Sequence, residues 1–121
     1  MTVKLLMFKT ATTATEALQP APEKILSGAP AQTIRNHFSD ASGQFFAGEW
    51  TGEIGKWQVR YSEDEFCYVT RGVVVVTDDS GERTTITAGD AFMVPAGFAG
   101  TWDVLEPVHK YYVIFERKNQ T

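Results

Sequence analysis

From Gln32 onward, short runs of apolar or alternating residues are broken by glycine and proline, and the pattern predicts strand after strand. Gln32–His37 reads as a first barrel strand, and Asp40-Ala41-Ser42-Gly43 as a turn. Gln44–Thr51 follows, stopped by Gly52 and Gly55, and then Lys56–Tyr61. The acidic Ser62-Glu63-Asp64 leads into a central stretch, Glu65–Val104. That stretch holds Glu65–Gly72, the apolar block Val73–Val76, a hairpin turn at Asp78-Asp79-Ser80-Gly81, and Glu82–Ile86. It closes with the glycine-rich segment Gly89–Trp102. A turn at Glu106-Pro107 is expected to deliver the last strand, Val108–Phe115. Two strand pairs punctuated by glycine and separated by one tight hairpin point to an all-β barrel or jelly roll of antiparallel strands.

Upstream the pattern is weaker. Thr2–Lys9 reads as a strand of mixed parity, added to a sheet edge or to a partner subunit. Thr10–Pro30 has no sustained period and is expected to be an irregular arm, with one helical turn near Glu23–Ser27. The organisation expected is therefore a strand and arm over 1–30, a barrel over 31–116 and a polar tail over 117–121.

Parity along a strand assigns faces, because alternate side chains point to opposite sides. With Glu65 inward, Cys67 and Val69 are inward too, and Phe66 and Tyr68 point out. Two outward aromatics on a central strand need cover, and the unbroken Val73–Val76 run says the same of its own strand. The N-terminal arm or a second subunit supplies that cover, and a homodimer is the expectation. For Lys56–Tyr61 two registers stay open. One turns Trp57, Val59 and Tyr61 inward, and the other turns Gln58 and Arg60 inward.

Composition narrows the class without naming a function. The 121 residues make one domain, with an ordinary 43% hydrophobic and 21% charged content. A net charge of −4 with no basic cluster argues against nucleic acid or an anionic membrane as partner. Leu5-Leu6-Met7-Phe8 is too short for a signal peptide or a membrane span. The single cysteine, Cys67, excludes an internal disulfide, suits a reducing compartment, and makes the cytoplasm the expected location.

The spacing of glycine and proline resembles the two cupin motifs, G-x5-H-x-H-x3,4-E-x6-G and G-x5-P-x-G-x2-H-x3-N. Glu65-x6-Gly72 matches the end of the first, and Gly89-x5-Pro95-x-Gly97 the start of the second. Within cupins, Glu65-Phe66-Cys67-Tyr68 with Gly100-Thr101-Trp102 and Lys110 is similar to the group named after ureidoglycine aminohydrolase and the ethanolamine-utilisation cupins. The resemblance spans roughly Gly43 to Phe115 and implies a cupin-type double-stranded β-helix. It also implies a ureide-like or otherwise nitrogenous substrate class. The family's metal ligands are mostly missing: Gly100 and Val104 stand at the second motif's histidine and asparagine. The first motif's histidine pair falls on Val59 and Tyr61, or on Gln58 and Arg60 with the longer spacer. A tightly held transition metal needs three or four converging ligands, and Glu65 alone remains. A barrel with neither metal nor other cofactor is the expectation.

Glu65 is the leading candidate for chemistry, since a carboxylate inside a barrel must be paired, hydrogen-bonded or protonated. Its candidate partners are Arg60, Tyr61 and Lys110, and the competing reading is a purely structural pair or simple exposure. Tyr61 and Lys110 are the candidate assisting acids or bases. Trp57, Arg60, Cys67, Phe98, Gly100, Trp102 and Tyr112 are the candidate pocket lining, with Trp50 a further aromatic wall. By parity the missing side chain of Gly100 opens space beside Trp102. Cys67 reads as a small core residue rather than a nucleophile. His37 and His109, far apart in sequence, are not expected to meet each other or a carboxylate such as Asp40.

These readings converge on a small-molecule-binding cupin without the usual metal site, acting on or sensing a small polar metabolite through a pocket around Glu65. Any catalysis would be metal-independent acid/base chemistry. The alternative is a non-catalytic dimeric binding or assembly module with a vestigial pocket.

Overall fold

In the computed structural model, which describes residues 2–118, strands form one continuous antiparallel system. In chain order these are β1 (Glu16–Leu18), β2 (Ile25–Gly28), β3 (Gln32–Ser39), β4 (Phe45–Gly52) and β5 (Gly55–Arg60). After them come β6 (Asp64–Asp78), β7 (Arg83–Thr87), β8 (Ala91–Val94) and β9 (Ala99–Phe115). The long β6 and β9 form the spine, paired from Asp64↔Phe115 to Asp78↔Gly100. The other edge of β9 takes β5 over its first half and β4 over its second. The sheet then continues to β3 and β1 beyond β4, and to β2 beyond β5, while β7 and β8 flank β6. A sheet this long curls on itself, and the result is the expected all-β jelly-roll barrel.

The spine bends where the sequence puts Gly72 against Pro107. Register slips between Val69 and Val74, the mark of bulges that let a long strand turn a corner. Gly72 has φ 98°, and a Cβ there would lie 2.3 Å from the Pro107 carbonyl oxygen. The turn expected at Glu106-Pro107 is accordingly not a break. Pro107 lies within β9, tolerated because the bulge at that point requires no ladder N–H.

The barrel's interior is built on Trp50, Trp57 and Trp102, whose ring centroids lie 5.8 to 6.2 Å apart. Val69, Val74, Val76, Ile86, Val104, Val108 and Tyr112 complete the buried cluster. Each such valine contributes about 1.5–3 kcal/mol by leaving water. Inside β6, Glu65, Cys67 and Val69 are buried, while Phe66 and Tyr68 remain 39% and 41% exposed on the outside. The open register of β5 resolves the same way. Trp57 is buried and Val59 packs on the core, whereas Gln58 and Arg60 are exposed.

The N-terminal region departs most from expectation. Thr2–Lys9 is not a strand: among the described residues, 2–7 join no sheet ladder, and Phe8–Thr10 forms one 3-10 turn. The arm that follows is less irregular than its sequence. β1 pairs with β3 and β2 with β5, because each barrel edge offers free backbone groups to a passing extended segment. The helical turn near Glu23–Ser27 is a 3-10 turn at Pro22–Lys24, and Ile25 already belongs to β2. The arm leaves Phe66 and Tyr68 uncovered. In the expected tail over 117–121, the Lys118 N–H bonds the Gln44 side-chain oxygen at 2.8 Å, and positions 119–121 lie outside the described residues. Among the described residues no helix is long and apolar enough to cross a membrane.

Candidate functional site

The inward faces of β6 and β9 meet at the register Cys67↔Tyr112, with Val69↔Lys110 next along. Lys110 therefore starts four residues up the ladder from Glu65, and its side chain is long enough to run back past Cys67 to the carboxylate. The Nζ–Oε2 distance is 2.7 Å, with both side chains almost wholly buried. On the way Nζ passes 3.4 Å from Cys67 Sγ, and the thiol lies 3.3 Å from the same Glu65 oxygen. Above the ammonium stand the faces of Trp50 and Trp102, 4.9 and 4.6 Å from Nζ to the ring centroids. Two indole faces and a carboxylate replace the water a lysine loses on burial.

This arrangement fixes the protonation of its members. Burial pulls the Lys110 ammonium down, but the facing Glu65 carboxylate, with Cys67 and Tyr61, outweighs it and holds the group above the ordinary lysine value. Burial pushes the Cys67 thiol up to about 12, so it is a protonated packing group at neutral pH, not a nucleophile. Burial likewise drives the Tyr61 phenol well above its usual range, leaving it a hydrogen-bond donor rather than a base. The Tyr112 phenol, pushed up to about 12 by burial and then by Glu65, donates its hydrogen bond to Asn36 Oδ1 at 2.7 Å.

The pair opens into a cavity of about 340 Å³. Its walls include Trp50, Trp57, Trp102, Tyr61 and Tyr112, with Lys24, Arg60 and Glu63 among the further lining. The structure thus brings together Glu65, Tyr61, Lys110, Trp57, Arg60, Trp102 and Tyr112, with Cys67 buried beside the ion pair. Of the three partners weighed for Glu65, Lys110 is the one it pairs with. The Trp102 indole N–H is buried without a hydrogen-bond partner among the described residues.

Two expected lining residues lie elsewhere. Gly100 opens no space beside Trp102, since a Cβ there would stand 1.9 Å from the Thr77 carbonyl oxygen. Its missing side chain lets β6 and β9 approach at Asp78↔Gly100. Phe98 sits edge-on to Tyr61, centroids 6.1 Å apart, and lines a different groove between β7 and β8. The loop before β9 holds it there through Gly97 N–H to the Tyr61 carbonyl and Tyr61 N–H to the Phe98 carbonyl.

A cupin metal does not fit this interior. Glu65, the one residue at a ligand position, is engaged by an ammonium, and Gly100 has no room for a side chain. Among the described residues no cluster of three or more histidine, cysteine or carboxylate side chains is arranged to hold an ion.

The histidines do meet, contrary to expectation, and the carboxylate between them is Glu49 rather than Asp40. His37 Nε2 lies 2.7 Å from one Glu49 oxygen and His109 Nε2 2.8 Å from the other. Thr13 and Thr70 hydroxyls hold the two Nδ1 atoms, and Arg35 adds a contact of 3.5 Å to Glu49. Burial raises the Glu49 pKa, but the hydrogen bonds from His37 and His109 outweigh it, and the carboxyl ends below its usual range. The cluster joins β3, β4 and β9 on the side of the sheet away from the cavity. The pairing Thr51↔His109 and the placement of His37 on β3 follow from strand order, which no local signal encodes.

Residues 39–112 match the family model described as the EutQ-like cupin domain. Comparison with curated proteins gave no match. Among solved structures the chain is similar to a protein of unknown function of the DUF861 family from Pseudomonas syringae pv. tomato, at 22% identity and TM-score 0.77. That match covers 88% of this chain and 45% of the other, so the chain spans less than half of that relative's length. A DUF861-family protein from Thermotoga maritima is 38% identical over 53% of this chain and 73% of its own, with TM-score 0.52. A putative ethanolamine utilization protein Q from Salmonella typhimurium is 15% identical, covering 90% of this chain and 99% of its own, with TM-score 0.66.

Proposed function

This chain belongs to the EutQ-like cupin family, and we propose that it binds a small polar metabolite in the barrel, at the Glu65–Lys110 pair, without a metal. The observation that carries the reading is the buried ion pair itself. An ammonium and a carboxylate 2.7 Å apart under two indole faces, opening into a cavity of about 340 Å³, is a costly arrangement that apolar packing would replace at no loss of stability. In this reading Glu65 accepts hydrogen bonds from the ligand and Tyr61 donates one, while Lys110 fixes the carboxylate. Trp57 and Trp102 supply flat walls, and Arg60 stands at the rim. The resemblance to ureide and ethanolamine cupins favours a nitrogenous ligand, whose N–H groups suit a carboxylate acceptor. With the thiol, phenol and ammonium all held protonated, these groups orient a ligand by donating hydrogen bonds rather than by covalent attack. The single unpaired thiol supports a cytoplasmic setting.

Thermal-shift and calorimetric titration with small ureides, amines, carboxylic acids and sugars tests this. A ligand at 100 times its Kd stabilises the folded chain by about 2.7 kcal/mol. That gain should vanish in Glu65→Gln and weaken in Tyr61→Phe. If no compound stabilises the native chain, or if one does so equally in both variants, the pocket reading fails.

The exposed Phe66, Tyr68, Met93 and Tyr111 favour a second element of the same proposal, a homodimer. Phe66 lies beside Met93 and Tyr68 beside Tyr111 across the ladders, so these residues form one apolar outer face.

A further inference from the structure

The link between β1 and β2 is part of the cavity wall. β1 and β2 are the outermost strands of the path β1-β3-β4-β9-β5-β2, yet residues 19–24 are all that joins them. The curled sheet therefore brings these two edges within about 25 Å of each other, and the link bridges the seam. Pro20 and Ala21, half-buried, line the cavity together with Gln19 and Lys24. Among the described residues its ladders lie at its ends, Leu18↔Gln32 and Ile25↔Trp57. Within it one turn closes on itself, Lys24 N–H to the Ala21 carbonyl at 2.8 Å, and Pro20 and Pro22 have no N–H to give. Gln19, Pro22, Glu23 and Lys24 are exposed. A wall held at two short strand ends, with little buried apolar surface, opens at lower free energy than the barrel beneath it.

This segment carries a cation to the mouth of the cavity. Extending the β2–β5 register by one residue from Ile25↔Trp57 sets Lys24 opposite Gln58, two positions from Arg60. Lys24 and Arg60 both line the cavity and both line the groove outside it, so they stand where the cavity meets the surface. Among the described residues neither forms an ion pair, since the pairs present involve Glu49 and Glu65. Of the acids nearby, Glu65 is held by Lys110, and Asp78 accepts hydrogen bonds from the Ser80 and Glu82 N–H groups of its own turn. Asp79 lines the outer groove and Glu63 the cavity. On the cavity side, Lys24 and Arg60 against Glu63 leave one positive charge uncompensated, which balances one carboxylate.

We infer that residues 19–24 are a flap that closes over the cavity when a ligand's single carboxylate bridges Lys24 on the flap and Arg60 on β5. The inference rests on the ligand-binding reading above, and adds to it the charge of the ligand and the part that moves. A ligand shifts a conformational equilibrium only through its differential affinity for the two states. This bridge exists only with the flap down, because Arg60 is fixed in the barrel and Lys24 travels. An uncharged ligand reaches Glu65 and Tyr61 equally well with the flap in either position.

The test compares small carboxylic acids with their neutral amides, beginning with N-acetylglycine and N-acetylglycinamide. Calorimetric titration and amide hydrogen exchange are run on the full chain, Lys24→Met, Arg60→Met and Glu65→Gln. Without ligand, residues 19–24 should exchange faster than β4 and β5. The acid should bind at least about tenfold more tightly than the amide and slow exchange at 19–24, which the amide leaves unchanged. Lys24→Met and Arg60→Met should each lower binding of the acid to the level of the amide, whereas Glu65→Gln should weaken both compounds alike. Three results each overturn the flap and leave the pocket reading standing: equal binding of acid and amide, an acid preference that survives Lys24→Met, or acid binding with unchanged exchange at 19–24. An acid preference lost in Lys24→Met but untouched by Glu65→Gln overturns the pocket reading alone. Binding of no compound in any acid–amide pair overturns both.

Discussion

Lys110 places its ammonium 2.7 Å from the Glu65 carboxylate, although 45 positions separate the two residues. Among the described residues neither charge has another ionic partner. Lys110→Met should therefore cost about 3–5 kcal/mol by leaving the carboxylate buried and unpaired. The double variant Lys110→Met with Glu65→Leu should recover most of that loss. Urea denaturation of the two single variants and the double checks it. Additive losses in the double variant would show that the two groups do not act as a pair.

Alkaline pH should destabilise the protein through this site. Cys67, Tyr112 and Lys110 all have folded pKa values above their ordinary ones, the first two at about 12. A raised value means that the group's contribution is fully present below its unfolded pKa and is lost as pH rises beyond it. Stability should be level near neutrality and decline from about pH 8.5, where an unfolded cysteine begins to ionise. Each group adds a slope of up to about 1.4 kcal/mol per pH unit. Thermal melts between pH 7 and 11 measure this, and Cys67→Ala should delay the onset of the decline.

Glu49 has the opposite sign. Its folded pKa is depressed, so its contribution is present above its unfolded value, near pH 4.3, and is lost as pH falls through the folded one. Glu49→Gln should cost about 1–3 kcal/mol at neutral pH by loosening His37 and His109, and should flatten the acid limb of the stability profile. An unchanged acid limb in that variant would mean that the clasp contributes nothing.

Gly100→Ala and Gly97→Ala separate two reasons for a glycine. At Gly100 the added methyl would lie 1.9 Å from the Thr77 carbonyl, and relief requires opening the β6–β9 ladder. At Gly97 nothing lies within 4 Å, and only the φ of 94° resists. The second change should cost about 1–2 kcal/mol and the first more, as forced overpacking does. For the same reason Gly100→His, the change that would restore the second cupin motif's histidine, should disrupt the barrel rather than restore a ligand. Chemical denaturation of all three gives the ranking.

Much of the fold was legible along the chain. Period-two alternation assigned Glu65, Cys67 and Val69 to one face and Phe66 and Tyr68 to the other, and burial follows that assignment. Trp57, Val59 and Tyr61 required a choice between two registers, made only when β5 aligned Trp57 with Trp102. Pro107 and Gly72 misled, because proline and glycine mark bulges as well as turns, and only the strand across the ladder distinguishes them. β1 and β2 were missed because such short segments become strands through the edges they meet rather than through a period of their own.

The linear order of residues was enough to set the class of fold, the inward direction of Glu65 and the lack of histidine at the positions where the cupin motifs carry it. Those properties depend on side-chain type and on spacing within a single strand, where distance along the chain is distance in space. Which cation neutralises Glu65, that His37 and His109 share Glu49, and that Gly100 faces a carbonyl rather than a cavity depend on contacts between strands far apart in the chain. Such contacts exist only after the sheet has curled and its ladders have taken their register, and for that reason they belong to the folded barrel rather than to any segment of it.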